Sequence, residues 1–386
     1  MTFGVEHTPE NEKIALVREY LESGLGYRKF FDKNKGKIPV RIRQFGDWCH
    51  KYRDVAKLKD GYVPERHEIK GTSTLYDSEG NVKMTWVKTS KEIEDAKAVM
   101  LAALDEAKED LPKIKDIKRP KKWDENLAAV IPIGDAHFGM LAWHEETGND
   151  FDLNIAKRDL CGAMKYLIDS GPACDTCVIA NVGDMLHYST MKPITEASGH
   201  VLSADSRAQK MVRVTVSALR FAIEYAAQKH NKVVCINSSG NHDGLLAHIM
   251  NIMLANIYEG NKRIAIMDQP TSRHYFQHGK VLIGVVHGHQ TKDRDLPGIM
   301  ATERPEQWGQ TKHRTWIRGH HHHDSRVEYN GCIVEQVRTL AAGDDYAVSS
   351  GFLSGRDIKQ ILFHKEFGEV GRNICGIDLL RSLQVE

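Results

Sequence analysis

Two patterns of hydrophobic positions divide this chain near residue 126. Before that point, apolar residues recur every three or four positions in short segments, which predicts three helices up to about residue 62. Two strand-like runs, 68–76 and 82–88, follow and predict a β-hairpin. From Leu127 onward, short apolar runs alternate with helical stretches, as is typical of a layered α/β domain.

These patterns predict three parts of the chain. Residues 1–62 form a basic helix-turn-helix-like module, because three short helices are separated by tight breaks. Residues 63–125 contain the hairpin, a further helix and a basic linker, and residues 126–386 form the main domain. The hairpin suits the wing of a winged-helix module and, equally, an arm that packs on the next domain. Beyond residue 341 the pattern shows only one strand-like run, 358–364.

The apolar runs of the main domain end in residues that bind metals. Five runs do so, and the polar residues that follow them are Asp135 and His137, Asp184, Asn241 to Asp243, His287 and His289, and His320 to His323. Alternate residues of a strand share one face, so Asp135 is paired with His137 and His320 with His322. Carboxylate and amide oxygens mixed with imidazoles suit Mn²⁺, Fe or Zn²⁺ better than a thiolate-bound metal or Ca²⁺. Because these ligands exceed the demand of one ion, we expect two ions that share a carboxylate.

The motifs D-x-H, G-D, G-N-H-D, H-G and G-H-x-H occur in this order, each after an apolar run. In this they resemble the motifs of the calcineurin-like metallophosphoesterase superfamily. The resemblance covers the chain from about Leu127 to Gly331 and implies an α/β/β/α sandwich. The basic N-terminal module and the segment 308–314 are similar to phage-encoded members, and the catalytic domain resembles phosphoesterases of the DNA-repair exonuclease type.

The resemblance implies a role for each motif residue. One metal would be bound by Asp135, His137, Asp184 and His322, and the second by Asp184, Asn241, His287 and His320. His289 is the alternative to His287, which we prefer because it ends the strand directly. We expect Mn²⁺ at both positions, with Fe, Zn²⁺ and Mg²⁺ as the alternatives.

The same resemblance implies that His242 is the catalytic histidine and that Asp243 is its partner. Asp243 would fix the tautomer of His242 and raise its basicity. Two cations would lower the pKa of a bridging water, so that a hydroxide attacks the phosphorus in line. His242 would then protonate the leaving oxygen.

Positive charge is concentrated in the N-terminal module. The whole chain has a net charge of +1, whereas residues 28–59 contain eleven Lys and Arg against three Asp, a net charge of +8. Binding to the phosphate backbone of a nucleic acid is a common reason for such an uneven distribution of charge, and a solvated helical face is the alternative explanation. We therefore expect DNA as a partner, and the residues expected to contact substrate are Arg28, Lys29, Arg41, Arg43 and His187.

The leading function is a metal-dependent phosphodiesterase that cleaves DNA. One alternative is hydrolysis of a small molecule, such as a cyclic nucleotide or dinucleotide, or of a phosphoprotein. In that case the N-terminal module would dock partners or assemble a homo-oligomer. Another alternative is a non-catalytic DNA-binding or phage structural protein, against which the intact His242 and the complete ligand set argue.

The chain of 386 residues contains seven cysteines and begins without a basic and apolar leader. We expect reduced thiols and a cytoplasmic protein. No membrane span is expected, since no apolar run approaches about 20 residues. Cys174 and Cys177 have the spacing of a redox or zinc pair, but a structural pair at the start of a strand is preferred because no second such motif follows.

Overall fold

The computed structural model describes residues 10–56, 67–76, 82–91, 117–190, 192–194 and 201–384. The chain divides into two compact units, one within residues 1–102 and the other within residues 103–386. The predicted boundary between residues 62 and 63 lies outside the described residues. The first strand of the second unit begins at Asp124, close to the predicted boundary between 125 and 126.

Three helices form the hydrophobic core of the first unit. They are α1 (Glu10–Glu22), α2 (Tyr27–Lys33) and α3 (Ile42–Ala56), as the apolar periodicity predicts. Gly24, just beyond α1, has a left-handed φ of 62°, which ends the helix at little steric cost. The core consists of Ile14, Val17, Phe30, Phe31, Ile38, Phe45, Trp48, Tyr52 and Ala56.

The hairpin of the first unit is antiparallel and consists of β1 (His67–Tyr76) and β2 (Val82–Lys91). β2 continues past the predicted end at residue 88, because Thr89 pairs with Ile69 and the strand remains paired up to its last residue. The predicted turn at 77–81, nearly all of the helix predicted after the hairpin, and the first four residues of the linker predicted at 113–122 lie outside the described residues.

The second unit is built on two mixed β-sheets. The larger sheet contains β3 (Asp124–Ile133), β4 (Cys174–Asn181), β5 (Lys232–Asn237), β6 (Ile264–Met267), β12 (Asp357–His364) and β13 (Gly368–Gly376). Its strand order is β13-β12-β3-β4-β5-β6. β3 to β6 are parallel, whereas β12 pairs antiparallel with both β3 and β13. The C-terminal segment therefore completes the larger sheet.

The smaller sheet has the strand order β10-β11-β9-β8-β7. Its strands are β7 (Arg273–His278), β8 (Val281–Val286), β9 (His313–Arg318), β10 (Ser325–Tyr329) and β11 (Cys332–Gln336). β8, β9 and β11 are parallel, and the two edge strands are antiparallel to their neighbours.

The two sheets face each other across a core of branched aliphatic side chains. Val178 and Ile236 of the larger sheet belong to the same buried cluster as Val285 and Ile317 of the smaller one. These strands are continuous apolar runs because both of their faces are covered.

Helices cover the outer faces of both sheets. α5 (Leu153–Ser170), α6 (Ala208–Lys229) and α7 (Gly244–Ile257) pack on the larger sheet, and α8 (Leu296–Glu303) and α9 (Pro305–Gln310) pack on the smaller one. The remaining α-helices of the described part are α4 (His144–Thr147), α10 (Asp345–Ser349) and α11 (Ile377–Gln384), and a short 3₁₀ helix spans Asp293–Asp295. The predicted layered α/β/β/α architecture is confirmed.

Neither a membrane helix nor a disulfide appears in the described part of the chain. No helix there is both long and apolar enough to cross a bilayer, and all seven cysteines are free. Cys174 and Cys177 are buried in β4, and burial raises the pKa of Cys174 to about 12. Because redox and zinc chemistry require a thiolate, this environment fits the structural interpretation of the pair.

Candidate metal centre

Side chains from both sheets meet at one edge of the second unit. β3, β4 and β5 are parallel neighbours in the larger sheet, as are β8 and β9 in the smaller one. The carboxyl ends of parallel strands lie at the same edge, where the following turns carry polar side chains. The residues that these turns bring together are Asp135, His137, Asp184, His287, His320 and His322.

Five residues other than glycine have a left-handed backbone conformation in the described part of the chain. Asp135, His137, Asp184, His320 and His322 have φ values of 31°, 44°, 50°, 77° and 57°. This conformation costs roughly 1–2 kcal/mol per residue, although Asp and His tolerate it better than most side chains. All five are predicted metal ligands, so backbone strain is concentrated where the sequence places the metals.

The first group of possible ligands consists of Asp135, His137 and His322. Nε2 of His137 lies 3.3 Å from Nε2 of His322, which in turn lies 3.5 Å from Oδ1 of Asp135. Burial, followed by His242 and His322, lowers the pKa of His137 well below its usual value. The imidazole of His137 is therefore neutral at physiological pH, which is the form that binds a metal.

Asp184, His287 and His320 form the second group, and Asn241 lies beside it. Nε2 of His287 is 3.0 Å from Oδ2 of Asp184 and 2.9 Å from Oδ1 of Asn241. Nδ1 of His287 donates to the carbonyl oxygen of Val182 at 3.2 Å, which directs Nε2 toward these oxygens. Metal-binding histidines commonly have such a contact through their other nitrogen.

Asp184 interacts with both groups. Burial raises the pKa of its carboxyl, but His287, His242 and His137 lower it by more, so Asp184 stays ionised. Its Oδ1 also accepts the backbone N–H of His242 at 2.8 Å. Among the described residues, Asp184 belongs only to the group with His287 and His320, so its role as the ligand that two metals share stays a prediction.

Two motif glycines permit the close approach of these turns. A Cβ atom on Gly240 would lie 2.0 Å from Oδ1 of Asp184, and one on Gly183 would lie 2.6 Å from Nδ1 of His287. Gly183 also has a φ of 108°, which residues with a side chain rarely adopt. These glycines are therefore needed for packing rather than for chemistry.

A backbone carbonyl orients His242. Nδ1 of His242 donates to the carbonyl oxygen of His187 at 2.8 Å. The ring of His242 lies 4.9 Å from that of His137, measured between centroids. His242 therefore lies beside the first ligand group, with Nε2 as the nitrogen left for a substrate.

The prediction that Asp243 orients His242 is wrong. Asp243 is fully buried, and its two oxygens accept the backbone N–H groups of Gly240 at 2.8 Å and of Leu186 at 3.2 Å. Burial, followed by repulsion from Asp184, raises the pKa of Asp243 to about 7. Asp243 therefore stabilises the turn that carries His242, and the imidazole is fixed by another group.

The prediction that the side chain of His187 contacts substrate is also wrong. His187 is only 1% exposed, and its Nδ1 lies 3.4 Å from Nδ1 of His137. Its ring stacks on that of His242 with 5.6 Å between centroids. Burial, followed by His242, lowers the pKa of His187 to about 3, so this imidazole is neutral. His187 therefore packs against the neighbouring imidazoles of His137 and His242, and its side chain is not accessible to solvent.

Solved structures similar to this chain include phosphoesterases. One is described as a novel archaeal phosphodiesterase; it is 12% identical over 65% of this chain and 99% of its own, with a TM-score of 0.34. The zinc complex of Vps29 from Entamoeba histolytica is 13% identical over 64% of this chain and 98% of its own, with a TM-score of 0.28. A conserved protein from Streptococcus pneumoniae, described as a predicted phosphoesterase, is 10% identical over 65% of this chain and 98% of its own, with a TM-score of 0.27.

No family model matches this chain, and neither does any curated protein. At the identities and TM-scores of the three solved structures, the comparison says nothing about the substrate, metals or partners of this chain. None of the three is described as a phage or DNA-repair protein, so that resemblance stays a prediction.

The other histidines of the H-G-H and H-H-H-H runs belong to none of the groups of possible metal ligands among the described residues. The ring of His289 is 5.2 Å from that of His287, measured between centroids. His321 and His323 are exposed and stack on each other at 5.9 Å. The structure thus places His287, rather than His289, beside Asp184, as the sequence predicts.

The four basic residues that were predicted to contact substrate lie in the first unit. Arg28, Lys29, Arg41 and Arg43 are all exposed. Their exposure leaves them accessible to a polyanion, and their role in binding stays a prediction.

Several groups that hold the ligands in place were missed by sequence reasoning. Thr339 Oγ1 donates to the backbone carbonyl of Asp135 at 2.7 Å, and the carboxylate of Asp135 accepts the backbone N–H of His320 at 2.9 and 3.0 Å. The carbonyls of Val182 and His187 orient two imidazoles. A backbone carbonyl has no signature in the sequence, so only the structure identifies these contacts.

Proposed function

We propose that this chain is a metal-dependent phosphoesterase that binds two divalent metal ions and hydrolyses phosphodiester bonds, with DNA as the substrate. The observation that carries the proposal is the presence of two groups of possible metal ligands at one edge of the sheets, Asp135 with His137 and His322 and Asp184 with His287 and His320, with the ring of His242 4.9 Å from that of His137. A single acid or histidine at a strand end is usually a cap or a surface group. Here the turns after five strands converge on one point, which a structural role does not explain.

The donor atoms suit two divalent cations of hard or intermediate character. Carboxylate and amide oxygens together with neutral imidazoles are ligands of Mn²⁺, Fe and Zn²⁺, and we propose Mn²⁺. One ion would be held by Asp135, His137, Asp184 and His322, and the other by Asp184, Asn241, His287 and His320. Cations bound there supply positive charge beside a phosphoryl group and lower the pKa of coordinated water.

Two imidazole nitrogens of the first group face each other. Nε2 of His137 and Nε2 of His322 lie 3.3 Å apart, within hydrogen-bonding distance. Burial lowers the pKa of His322 but Asp135 raises it by more, so in the metal-free protein His322 donates this hydrogen bond when it is protonated. A metal ion bound here would take the place of that proton and use both lone pairs.

His242 acts on the substrate through Nε2. Because Nδ1–H is bound to the carbonyl of His187, Nε2 is the nitrogen that gains and loses the exchangeable proton. When protonated, it donates to a phosphoryl oxygen or to the leaving oxygen and offsets the negative charge that develops there. The hydrogen bond from the backbone of His242 to Asp184 keeps this turn in register with the ligands.

DNA is the proposed substrate because exposed cations are concentrated in the first unit. Arg28, Lys29, Arg41 and Arg43 are exposed on a chain whose net charge is only +1. Phosphate contacts from such residues give affinity that does not depend on base sequence. A small phosphoester and a phosphoprotein are the competing substrates.

The test compares four substrates on the Mn²⁺-loaded full-length protein. They are bis-p-nitrophenyl phosphate, p-nitrophenyl phosphate, single-stranded DNA and double-stranded DNA, each also incubated with Fe²⁺, Zn²⁺ or Mg²⁺ in place of Mn²⁺. His242→Ala is the variant, and His323→Ala is its matched control, because His323 is an exposed histidine that belongs to none of the groups of possible metal ligands.

We expect hydrolysis of the diester and of DNA, lost in His242→Ala and kept in His323→Ala. Hydrolysis of the monoester alone would exclude phosphodiesterase activity. Hydrolysis of bis-p-nitrophenyl phosphate without any cleavage of DNA would favour a small phosphodiester as the substrate. No turnover of any of the four substrates with any of the metals would refute the proposal that this chain is an enzyme.

A further inference from the structure

The turn 319–324 carries one ligand for each of the two groups. His320 belongs to the second group and His322 to the first. Both have a positive φ, of 77° and 57°, although neither is a glycine. Residues in such strained conformations persist only when the surrounding structure fixes them, so this turn needs anchors at both of its ends.

The start of the turn is anchored by residues that lie next to the ligands. The backbone N–H of His320 donates to the carboxylate of Asp135. Arg318, just before the turn, forms an ion pair with Asp293, whose oxygen lies 2.7 Å from its Nε. Asp293 belongs to the loop that follows His287, so this pair ties together two turns that carry ligands.

The end of the turn is anchored by two buried residues on different sheets. Gln336 of β11 donates from Nε2 to the carbonyl oxygen of His323 at 2.8 Å. Lys359 of β12 places its Nζ 2.5 Å from Oδ1 of Asp324. Lys359 is only 4% exposed, whereas the side chain of Asp324 is 40% exposed. A buried ammonium group therefore reaches out from the larger sheet to the last residue of the turn.

Lys359 is not required to neutralise its other carboxylate neighbour. Glu335 is fully buried, and Lys359 lies 3.5 Å from its Oε1. Arg372 already binds both oxygens of Glu335 at 2.6 Å. The shorter contact of Lys359 is the one to Asp324, and Glu335 keeps a bidentate partner without it.

We propose that Lys359 is a positioning residue for the metal centre, which through Asp324 holds the turn 319–324 so that His320 and His322 face their two ligand groups. The inference rests on the proposed function, because it assigns the purpose of the contact to metal binding. If Lys359 has a purely structural role, in which the charged network only joins the two sheets, the test below should give different results.

The test measures Mn²⁺ binding by calorimetry to five full-length proteins: the native chain, Lys359→Met, Asp324→Asn, the double variant and Arg372→Met. Arg372→Met is the matched control, since it breaks the same network without touching Asp324. Asp324→Asn removes the contact from its exposed end and so covers the case in which Lys359→Met fails to fold. Circular dichroism establishes that each protein is folded at the temperature of the titration.

We expect Lys359→Met and Asp324→Asn each to weaken Mn²⁺ binding by about 10- to 100-fold, as is typical when a group that holds a metal ligand is removed. The double variant should have the same Mn²⁺ affinity as the single variant with the lower affinity, because both changes break the same contact between Lys359 and Asp324. Arg372→Met should bind Mn²⁺ like the native chain. Hydrogen–deuterium exchange of the turn in the metal-free proteins should rise in the first three variants and not in the control.

Native Mn²⁺ binding in both Lys359→Met and Asp324→Asn would overturn the inference and leave the proposed function intact. So would equal weakening in Arg372→Met, or reductions in the two single variants that multiply in the double variant. A native chain that binds no Mn²⁺ would overturn the proposed function, and the inference with it.

Discussion

Asp243 is a fully buried carboxylate that lies close to a second carboxylate, Asp184. Burial and repulsion from Asp184 raise its pKa to about 7, against a usual value of 3.8. The folded state therefore binds this proton more tightly than the unfolded state does. Consequently the contribution of Asp243 to stability is complete below about pH 4 and is lost as the pH rises to about 7.

We expect Asp243→Asn to remove this pH dependence. Because the variant side chain cannot ionise, the native protein should lose stability relative to the variant as the pH rises from about 4 to about 7. Urea unfolding of both metal-free proteins across this interval measures the difference. A difference that is independent of pH would contradict the raised pKa.

The sequence predicts which residues form the metal centre, but it does not predict which groups orient their side chains. The motifs select Asp135, His137, His320 and His322, and the structure places all four in the ligand groups. Alternation along a strand is not the reason, because these residues follow β3 and β9 in turns with a positive φ, and His320 and His322 belong to different groups. Asp243 was misassigned because adjacency in sequence does not imply contact between side chains. The group that fixes His242 is a main-chain carbonyl, which every residue carries.

At the scale of elements, the ligands depend on the turns that follow the strands. The turn after β5 passes so close to Asp184 that a Cβ atom on Gly240 would lie 2.0 Å from its Oδ1. The turn after β4 contains Gly183, whose φ of 108° excludes most other residues. Glycine in these motifs therefore determines how closely the ligand-bearing turns approach each other.

We expect Gly240→Ala to weaken Mn²⁺ binding by about tenfold or more, because the added methyl group displaces the carboxylate of Asp184. Gly298→Ala is the matched control. Gly298 lies within α8, has nothing within 4 Å of its ideal Cβ position, and gains helix propensity on substitution. Calorimetric titration with Mn²⁺ compares the two variants. Equal affinities would show that the turn after β5 tolerates a side chain.

The elements that bear the site were the easiest to predict, because both of their faces are covered. β3, β4, β5 and β8 are continuous apolar runs, which the sequence displays directly. β13 was not predicted, since its exposed and half-exposed positions interrupt the apolar pattern. β2 extended beyond its predicted end because ladder pairing continued into polar residues.

At the scale of the whole molecule, the site depends on how the two sheets pack together, and the sequence does not predict that packing. The alternation of strands and helices predicts a layered α/β domain, but the register between sheets depends on contacts far apart in the chain. Lys359 of β12 and Glu335 of β11 lie 3.5 Å apart across the two sheets. No periodicity reveals such a pair, and it is found only in three dimensions.

We expect the first unit to supply most of the affinity for DNA. Replacing Arg28, Lys29, Arg41 and Arg43 together by Ala should weaken DNA binding, and the slope of log K against log salt should fall by up to about 0.9 for each phosphate that the variant no longer binds. Hydrolysis of bis-p-nitrophenyl phosphate should be unchanged.

The matched control removes four exposed lysines of the second unit, Lys121, Lys210, Lys232 and Lys262. Fluorescence anisotropy with labelled DNA at several salt concentrations measures both proteins. An equal reduction of affinity in the control would mean that binding follows total charge rather than the first unit.

The number of Mn²⁺ ions needed for catalysis tests the central claim most directly. The measurement is the rate of bis-p-nitrophenyl phosphate hydrolysis as metal-free protein is titrated with Mn²⁺. We expect the rate to level off at two ions per chain, and His242→Ala to bind two ions while its rate falls by about 10²- to 10⁴-fold. Saturation at one ion, hydrolysis without metal, or two bound ions without hydrolysis would contradict the account.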